Sequence, residues 1–250
     1  MAYAGKYYWI IGASSGIGRA LALELARQGA VVAISARTGV ALESLAREIS
    51  TQTLVLPLDI TRREDIQAAL DRLREAWPRL DGVVIMSAVY TPLSFSKMEL
   101  KQVLDIVNVN LTGILNVILS VLPVLRAQKS GQLALCGSVA GYRGLPNAQP
   151  YGSTKAAIIN LAESLKIEEE KNGIDVRLIN PGFVKTPMTD KNDFAMPMMI
   201  DVDQAAVAIS RGLQGNKFEI HFPKRFTYIM KILRLMPSTI YFFLMRKLEK

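Results

Sequence analysis

Three glycines constrain what this chain can fold into. Gly12, Gly16 and Gly18 follow a compact apolar run, Tyr7–Ile11. They precede Arg19–Gln28, whose apolar residues recur at helical spacing until Gly29. Strand, glycine turn and helix, in that order, form the entry to a dinucleotide-binding crossover. Glycines let backbone amides come close to a pyrophosphate, and a helix N-terminus favours its negative charge. The spacing is G-x-x-x-G-x-G rather than G-x-G-x-x-G, and a tight turn without a ligand is the competing reading.

The alternation continues along the chain. Strands are expected at Ala30–Ser35, Thr53–Leu58, Gly82–Met86, Gln132–Cys136, Asp175–Ile179 and Phe218–Phe222. Helices are expected at Val40–Ile49, Glu64–Trp77, Leu100–Leu125, Tyr151–Lys171 and Val202–Gly212. Such alternation implies right-handed crossovers and a parallel sheet covered on both faces. The expectation is an α/β protein, a single-domain Rossmann-like doubly wound sheet of about seven strands over residues 1–222. Residues 223–250 are expected to be a basic amphipathic extension. With 250 residues, half of them hydrophobic, there is material for one full core. Ile114 through Leu125 is apolar nearly all round, which implies burial on more than one side.

Several function classes are excluded early. Cys136 is the only cysteine, so no intramolecular disulfide forms, and a reducing, cytoplasmic setting is expected. His221 is the only histidine, which argues against a Ser-His-Asp triad or a multi-histidine metal site, and it is expected in a strand. No metal is expected. Tyr7–Ile11 is too short for a signal peptide, and no uncharged apolar stretch reaches the ~18 residues that span a bilayer.

Chemistry concentrates at Tyr151 and Lys155, four residues apart on one helix face, with Ser138 thirteen residues upstream. A free tyrosine titrates near pH ~10. A nearby ammonium favours the phenolate and lowers that value, making the pair a general acid or base for a carbonyl or hydroxyl oxygen. Ser138 can donate a second hydrogen bond to the same oxygen. After the second strand, Ala36 and Arg37 stand where an acidic residue would hold a ribose 2′-hydroxyl. A planar guanidinium suits a 2′-phosphate, so NADP (NADPH) is the expected cofactor.

Taken together, residues 5 to 222 resemble the short-chain dehydrogenase/reductase family. The resemblance rests on Gly12-x-x-x-Gly16-x-Gly18, Asp59, Asn110, Ser138, Tyr151-x-x-x-Lys155 and Pro181-Gly182, in the family's order and spacing. It implies catalysis by Asn110, Ser138, Tyr151 and Lys155, with Asn110 supporting a water-linked proton path to Lys155. It implies cofactor contacts from Ser14, Ser15 and Ile17 in the glycine turn, Asp59 and Ile60 near adenine, and Ser87 and Ala88. Lys155 would also hold the nicotinamide ribose, and Pro181, Gly182, Val184 and Thr186 would border the nicotinamide. Homodimers or homotetramers formed through the helices matching Leu100–Leu125 and Tyr151–Lys171 are implied as well.

Two departures from the family's pattern matter. Ser87-Ala88-Val89 replaces the usual Asn-Ala-Gly, placing a β-branched side chain where glycine normally allows close approach. A non-catalytic NAD(P)-binding sensor or scaffold is the alternative that Val89 favours; the complete catalytic set favours hydride transfer with an apolar, lipid-like carbonyl or alcohol. Met188, Phe194, Met196, Met198 and Met199 form an adaptable apolar lid on that reading, and packing of the lid on the core is the competing one. The second departure is the tail, with seven basic residues against Glu249 and no aromatic-basic nucleic-acid motif. Its apolar spacing fits an anionic membrane surface or packing on the protein itself, and the peripheral membrane reading is adopted.

Overall fold

The computed structural model describes residues 1–248. Seven parallel strands make one sheet: β1 (Tyr7–Ile11), β2 (Val31–Ser35), β3 (Thr53–Val55), β4 (Gly82–Ile85), β5 (Gly131–Cys136), β6 (Ile174–Pro181) and β7 (Glu219–Phe222). Their order is β3-β2-β1-β4-β5-β6-β7. The chain therefore reverses its direction of travel across the sheet between β1 and β4, and the crevice beyond their carboxyl ends is where such folds bind ligands.

Side chains alternate across a strand, so β1 feeds two cores. Trp9 and Ile11 join Leu70, Val117 and Val121 on one face; Tyr8 and Ile10 join Leu21, Leu25 and Ile34 on the other. The helices on the first face are α3 (Arg63–Ala76), α4 (Leu100–Val107), α5 (Ile114–Gln128) and α6 (Tyr151–Glu169). Those on the second are α1 (Gly16–Arg27), α2 (Gly39–Glu48) and α7 (Val202–Gln214).

The expected long helix at Leu100–Leu125 is three pieces. A π-helical turn, Asn108–Gly113, separates α4 from α5. The segment Leu100–Gln128, 29 residues containing an 18-residue stretch of mean hydropathy 1.8, is long and apolar enough to cross a membrane, which corrects the expectation that no such stretch exists. Its apolarity has a different cause. Val117, Val121 and Leu125 are fully buried against the sheet, as the all-round apolar pattern implies.

The C-terminal extension folds back. After β7 come α8 (Lys224–Leu235) and α9 (Ser238–Leu248). Along α8, Met230 is buried in the first core, and Phe226 and Leu233 pack against it. On the opposite side Tyr228, Ile229, Ile232 and Leu235 stay exposed beside Arg225. The inner face of α8 is thus core, as the alternative of packing on the protein itself expects, and its outer face is apolar and uncovered. Truncating a buried methionine to alanine typically costs ~2–5 kcal/mol, so removing the tail removes core.

His221 lies in β7, as expected, with Nδ1 2.6 Å from the Thr227 hydroxyl. Burial, aided by the Lys224 and Lys231 cations, lowers its pKa from 6.5 to about 4. The unfolded chain binds the proton first, so stability is complete above pH ~6.5 and falls on acidification toward pH ~4, by at most about 3 kcal/mol. Chemical denaturation across that range should show this loss in the parent and a flatter profile in His221→Asn. An identical slope in both would remove His221 as its source.

Candidate active site

The glycine turn is built by close approach. Gly12 adopts φ +95°, and a Cβ there would lie 2.5 Å from the Ser87 backbone nitrogen. A Cβ on Gly18 would run into the Gly12 carbonyl. The amides of Gly12 and Ala13 both donate to the Ser35 carbonyl, at 2.7 and 3.0 Å, which ties the turn to β2. Ser15 caps α1 without a side-chain bond, and the first turn of α1 holds no acid. The positive end of that helix is left for an anion.

A cavity of about 270 Å³ opens over this turn, at the carboxyl ends of the strands. Every residue expected at the cofactor lines it, from Gly12 to Thr186, including Arg37, Asp59, Ile60, Ser87 and Ala88. The glycine cradle, the acid-free helix start and this lining fit a dinucleotide. Arg37 is exposed at the rim and makes no hydrogen bond or ion pair among the described residues. Asp59 accepts from the backbone and hydroxyl of Thr61 at 2.9 and 2.8 Å, which fixes its carboxylate.

Ser138 follows β5 and Tyr151 opens α6, with Lys155 one turn later. All three line the cavity. Lys155 is fully buried and donates to the Cys136 carbonyl at 2.7 Å, with its Nζ 5.5 Å from the Tyr151 ring centre. Its pKa is lowered by burial. The Tyr151 ring opens partly on the cavity, but burial of its hydroxyl raises the phenol above its ordinary value, the Ser138 hydroxyl pulling the other way. This corrects the expectation that Lys155 holds Tyr151 low. Desolvation disfavours the charged form of both groups and outweighs their attraction, so Tyr151 is held as the neutral phenol.

Asn110 has a partner the sequence did not suggest. It is fully buried in the π-helical turn and does not line the cavity. Its Oδ1 accepts from Val89 N at 2.7 Å and its Nδ2 donates to Val89 O at 2.8 Å. The side chain therefore locks the strand-end segment that carries Ser87 and Ala88. No side-chain bond joins it to Lys155 among the described residues.

A second cavity, about 400 Å³, adjoins the first and shares Ser138, Tyr151, Gly182, Met188 and Thr189 with it. Its wall is largely apolar: Tyr90, Leu145, Phe183, Phe194, Phe226 and Met245. Tyr90 packs edge-on against the Tyr151 ring at 5.0 Å, and its hydroxyl donates to Asn192 at 3.0 Å. Of the expected lid residues only Met188 and Phe194 line it; Met198 and Met199 are exposed, and Met196 accepts from Asn192. Tyr90, Phe226 and Met245 were missed because no local pattern marks them; only helix packing brings the last two here.

A doubly wound sheet with a glycine turn at its crossover and Ser138, Tyr151 and Lys155 beside that turn defines a dinucleotide-binding oxidoreductase. Residues 6–196 match the short chain dehydrogenase family, and the chain belongs to it. An uncharacterized oxidoreductase of Myxococcus xanthus is 31% identical over 238 residues, 93% of each chain. Among solved structures, a short-chain dehydrogenase/reductase of Burkholderia phymatum in complex with NAD superposes with a TM-score of 0.84 at 19% identity, covering 92% of this chain and 93% of that one. A short-chain dehydrogenase of Sphingobium yanoikuyae in complex with NADPH gives 0.79 at 24%, covering 93% and 97%. Those structures establish the likeness of fold.

Proposed function

We propose that this oxidoreductase uses NADP(H) to interconvert an apolar carbonyl compound and its alcohol. The observation that carries the reading is the position of Ser138 and Tyr151, which line both the dinucleotide cavity and the apolar one. A carbonyl oxygen held between those hydroxyls would have its carbon at the junction of the two cavities. The nicotinamide, when bound, supplies or accepts the hydride. Ser138 Oγ hydrogen-bonds the substrate oxygen and Tyr151 Oη passes it the proton, a task for which the neutral phenol is the correct form in reduction. Lys155 Nζ, one helical turn away, steadies the charge that the phenol then carries.

The 2′-phosphate falls to Arg37, the exposed guanidinium at the cavity rim. With no partner among the described residues, both of its edges are available for bidentate recognition. Self-association into a dimer or tetramer is assigned to the α4–α6 side, where Leu100, Leu104, Leu119 and Ile167 are exposed. Peripheral contact with an anionic membrane is assigned to the outer face of α8 and α9, where Ile232, Leu235, Phe242 and Phe243 stand exposed among Arg225, Arg234, Arg246 and Lys247.

Three outcomes are expected. Tyr151→Phe should keep NADPH binding while turnover of an apolar aldehyde drops by roughly 10²-fold or more; a near-parental rate refutes the mechanism. Arg37→Ala should weaken NADPH by roughly tenfold, the scale of one lost charge-assisted contact, with little effect on NADH. Equal losses for both cofactors would take Arg37 out of the site. Ile232→Glu with Phe243→Glu should abolish salt-sensitive cosedimentation with phosphatidylglycerol vesicles and leave the oligomer mass by light scattering unchanged. Retained vesicle binding, or conversion to monomer, would reassign the faces.

A further inference from the structure

The C-terminal helices reach the substrate side of the site. Phe226 of α8 covers the Pro181–Gly182 turn so closely that a Cβ on Gly182 would lie 2.7 Å from its ring. The same ring lies 5.0 Å from Phe183, which in turn meets Phe194 of the lid at 6.0 Å. Met245 of α9 lines the cavity as well. Phe226 and Met245 are nineteen residues apart and on different helices, so the turn between α8 and α9 decides whether both face one cavity.

Arg143 holds that turn. Its Nη1 donates to the carbonyls of Leu233, Arg234 and Met236, at 2.8, 3.1 and 2.6 Å. The last carbonyls of a helix have no partner within it, and a guanidinium there both satisfies them and opposes the helix dipole. The same guanidinium lies 4.1 Å from the centre of the Tyr241 ring, which is buried in α9. The Tyr241 hydroxyl donates to the Gly144 carbonyl. Arg143 and Gly144 begin the loop whose following residues, Leu145 to Ala148, line the same cavity. One clasp therefore joins two segments that line the cavity.

We propose that α8 and α9 form the specificity wall of the substrate cavity, with Phe226 and Met245 limiting the bulk of an apolar ketone or aldehyde and Arg143 acting as a positioning residue that fastens the wall. This rests on the carbonyl-oxidoreductase reading of the same site. The cavity's size suits a single small molecule, and its apolar wall offers shape rather than hydrogen bonds. Discrimination in such a pocket is worth roughly 10–200-fold per methylene-sized change.

The test uses full-length chain with NADPH and two ketones, cyclohexanone and the bulkier 2-acetylnaphthalene. Phe226→Ala and Met245→Ala should each raise the kcat/KM ratio of the naphthyl ketone to cyclohexanone by roughly tenfold, with NADPH affinity unchanged. Arg143→Ala should raise KM for both ketones several-fold with kcat nearly constant, and Arg143→Lys should recover part of the loss because an ammonium can still meet the helix carbonyls. Calorimetric binding of 2-acetylnaphthalene to the NADP⁺-loaded protein reads the wall without turnover. Binding altered by Met245→Ala in a chain that reduces neither ketone would uphold the wall and sink the reductase reading. Should Phe226→Ala fail to fold, Met245→Ala decides the matter alone. Unchanged ratios and unchanged naphthyl binding in a folded Met245→Ala would overturn the proposal.

Discussion

The structure depends on how closely the turn after β1 approaches the end of β4. A Cβ on Gly12 would press on the Ser87 nitrogen, and one on Gly18 would strike the Gly12 carbonyl. A contact of that kind cannot be relieved by a rotamer change, because both partners are backbone. Removing two side chains lets β1, α1 and the Ser87–Val89 segment converge at the one place where the crossover direction reverses. The concavity that follows faces a helix N-terminus, which is why an anionic dinucleotide fits there rather than elsewhere on the sheet.

Asn110 completes that convergence from the other side. A π-helical turn between α4 and α5 aims its amide at Val89, and both of its hydrogen-bonding groups are used on that one residue's backbone. A single buried hydrogen bond contributes about 1 kcal/mol net, but leaving either group unpaired would cost about 1–3 kcal/mol. The pair therefore enforces a position more than it adds stability. It also gives a physical account of how Val89 is accommodated: the backbone there is held by a side chain, and the valine side chain is only half-buried.

Electrostatics at the catalytic residues are set by burial. Lys155 has no accessible surface, and its nearest polar partner is a carbonyl rather than a carboxylate. A neutral acceptor relieves only part of the desolvation cost of a cation, so the ammonium is weakened and so is its pull on the phenol. A protonated Tyr151 is the consequence. The tail shows the same dominance of burial in apolar form, since the side of α8 carrying Phe226, Met230 and Leu233 meets the core while its other side meets solvent.

Beyond the cofactor residues that the family resemblance implied, the sequence by itself determined the sheet, its parallel sense, the glycine turn, and the placing of Tyr151 and Lys155 on one helix face. Each of these follows from local spacing: apolar runs of strand length, glycines at a fixed interval, and a tyrosine and lysine one helical turn apart. Tertiary structure alone decided which way Asn110 points, because a π turn displaces a residue from the face that α-helical spacing assigns. It decided the sign of the Tyr151 shift, because desolvation depends on what covers a group and not on which residue stands four positions away. It also placed Phe226 and Met245 at the apolar cavity. Helical periodicity shows that a segment has an apolar face, but only packing against the rest of the chain determines what that face covers.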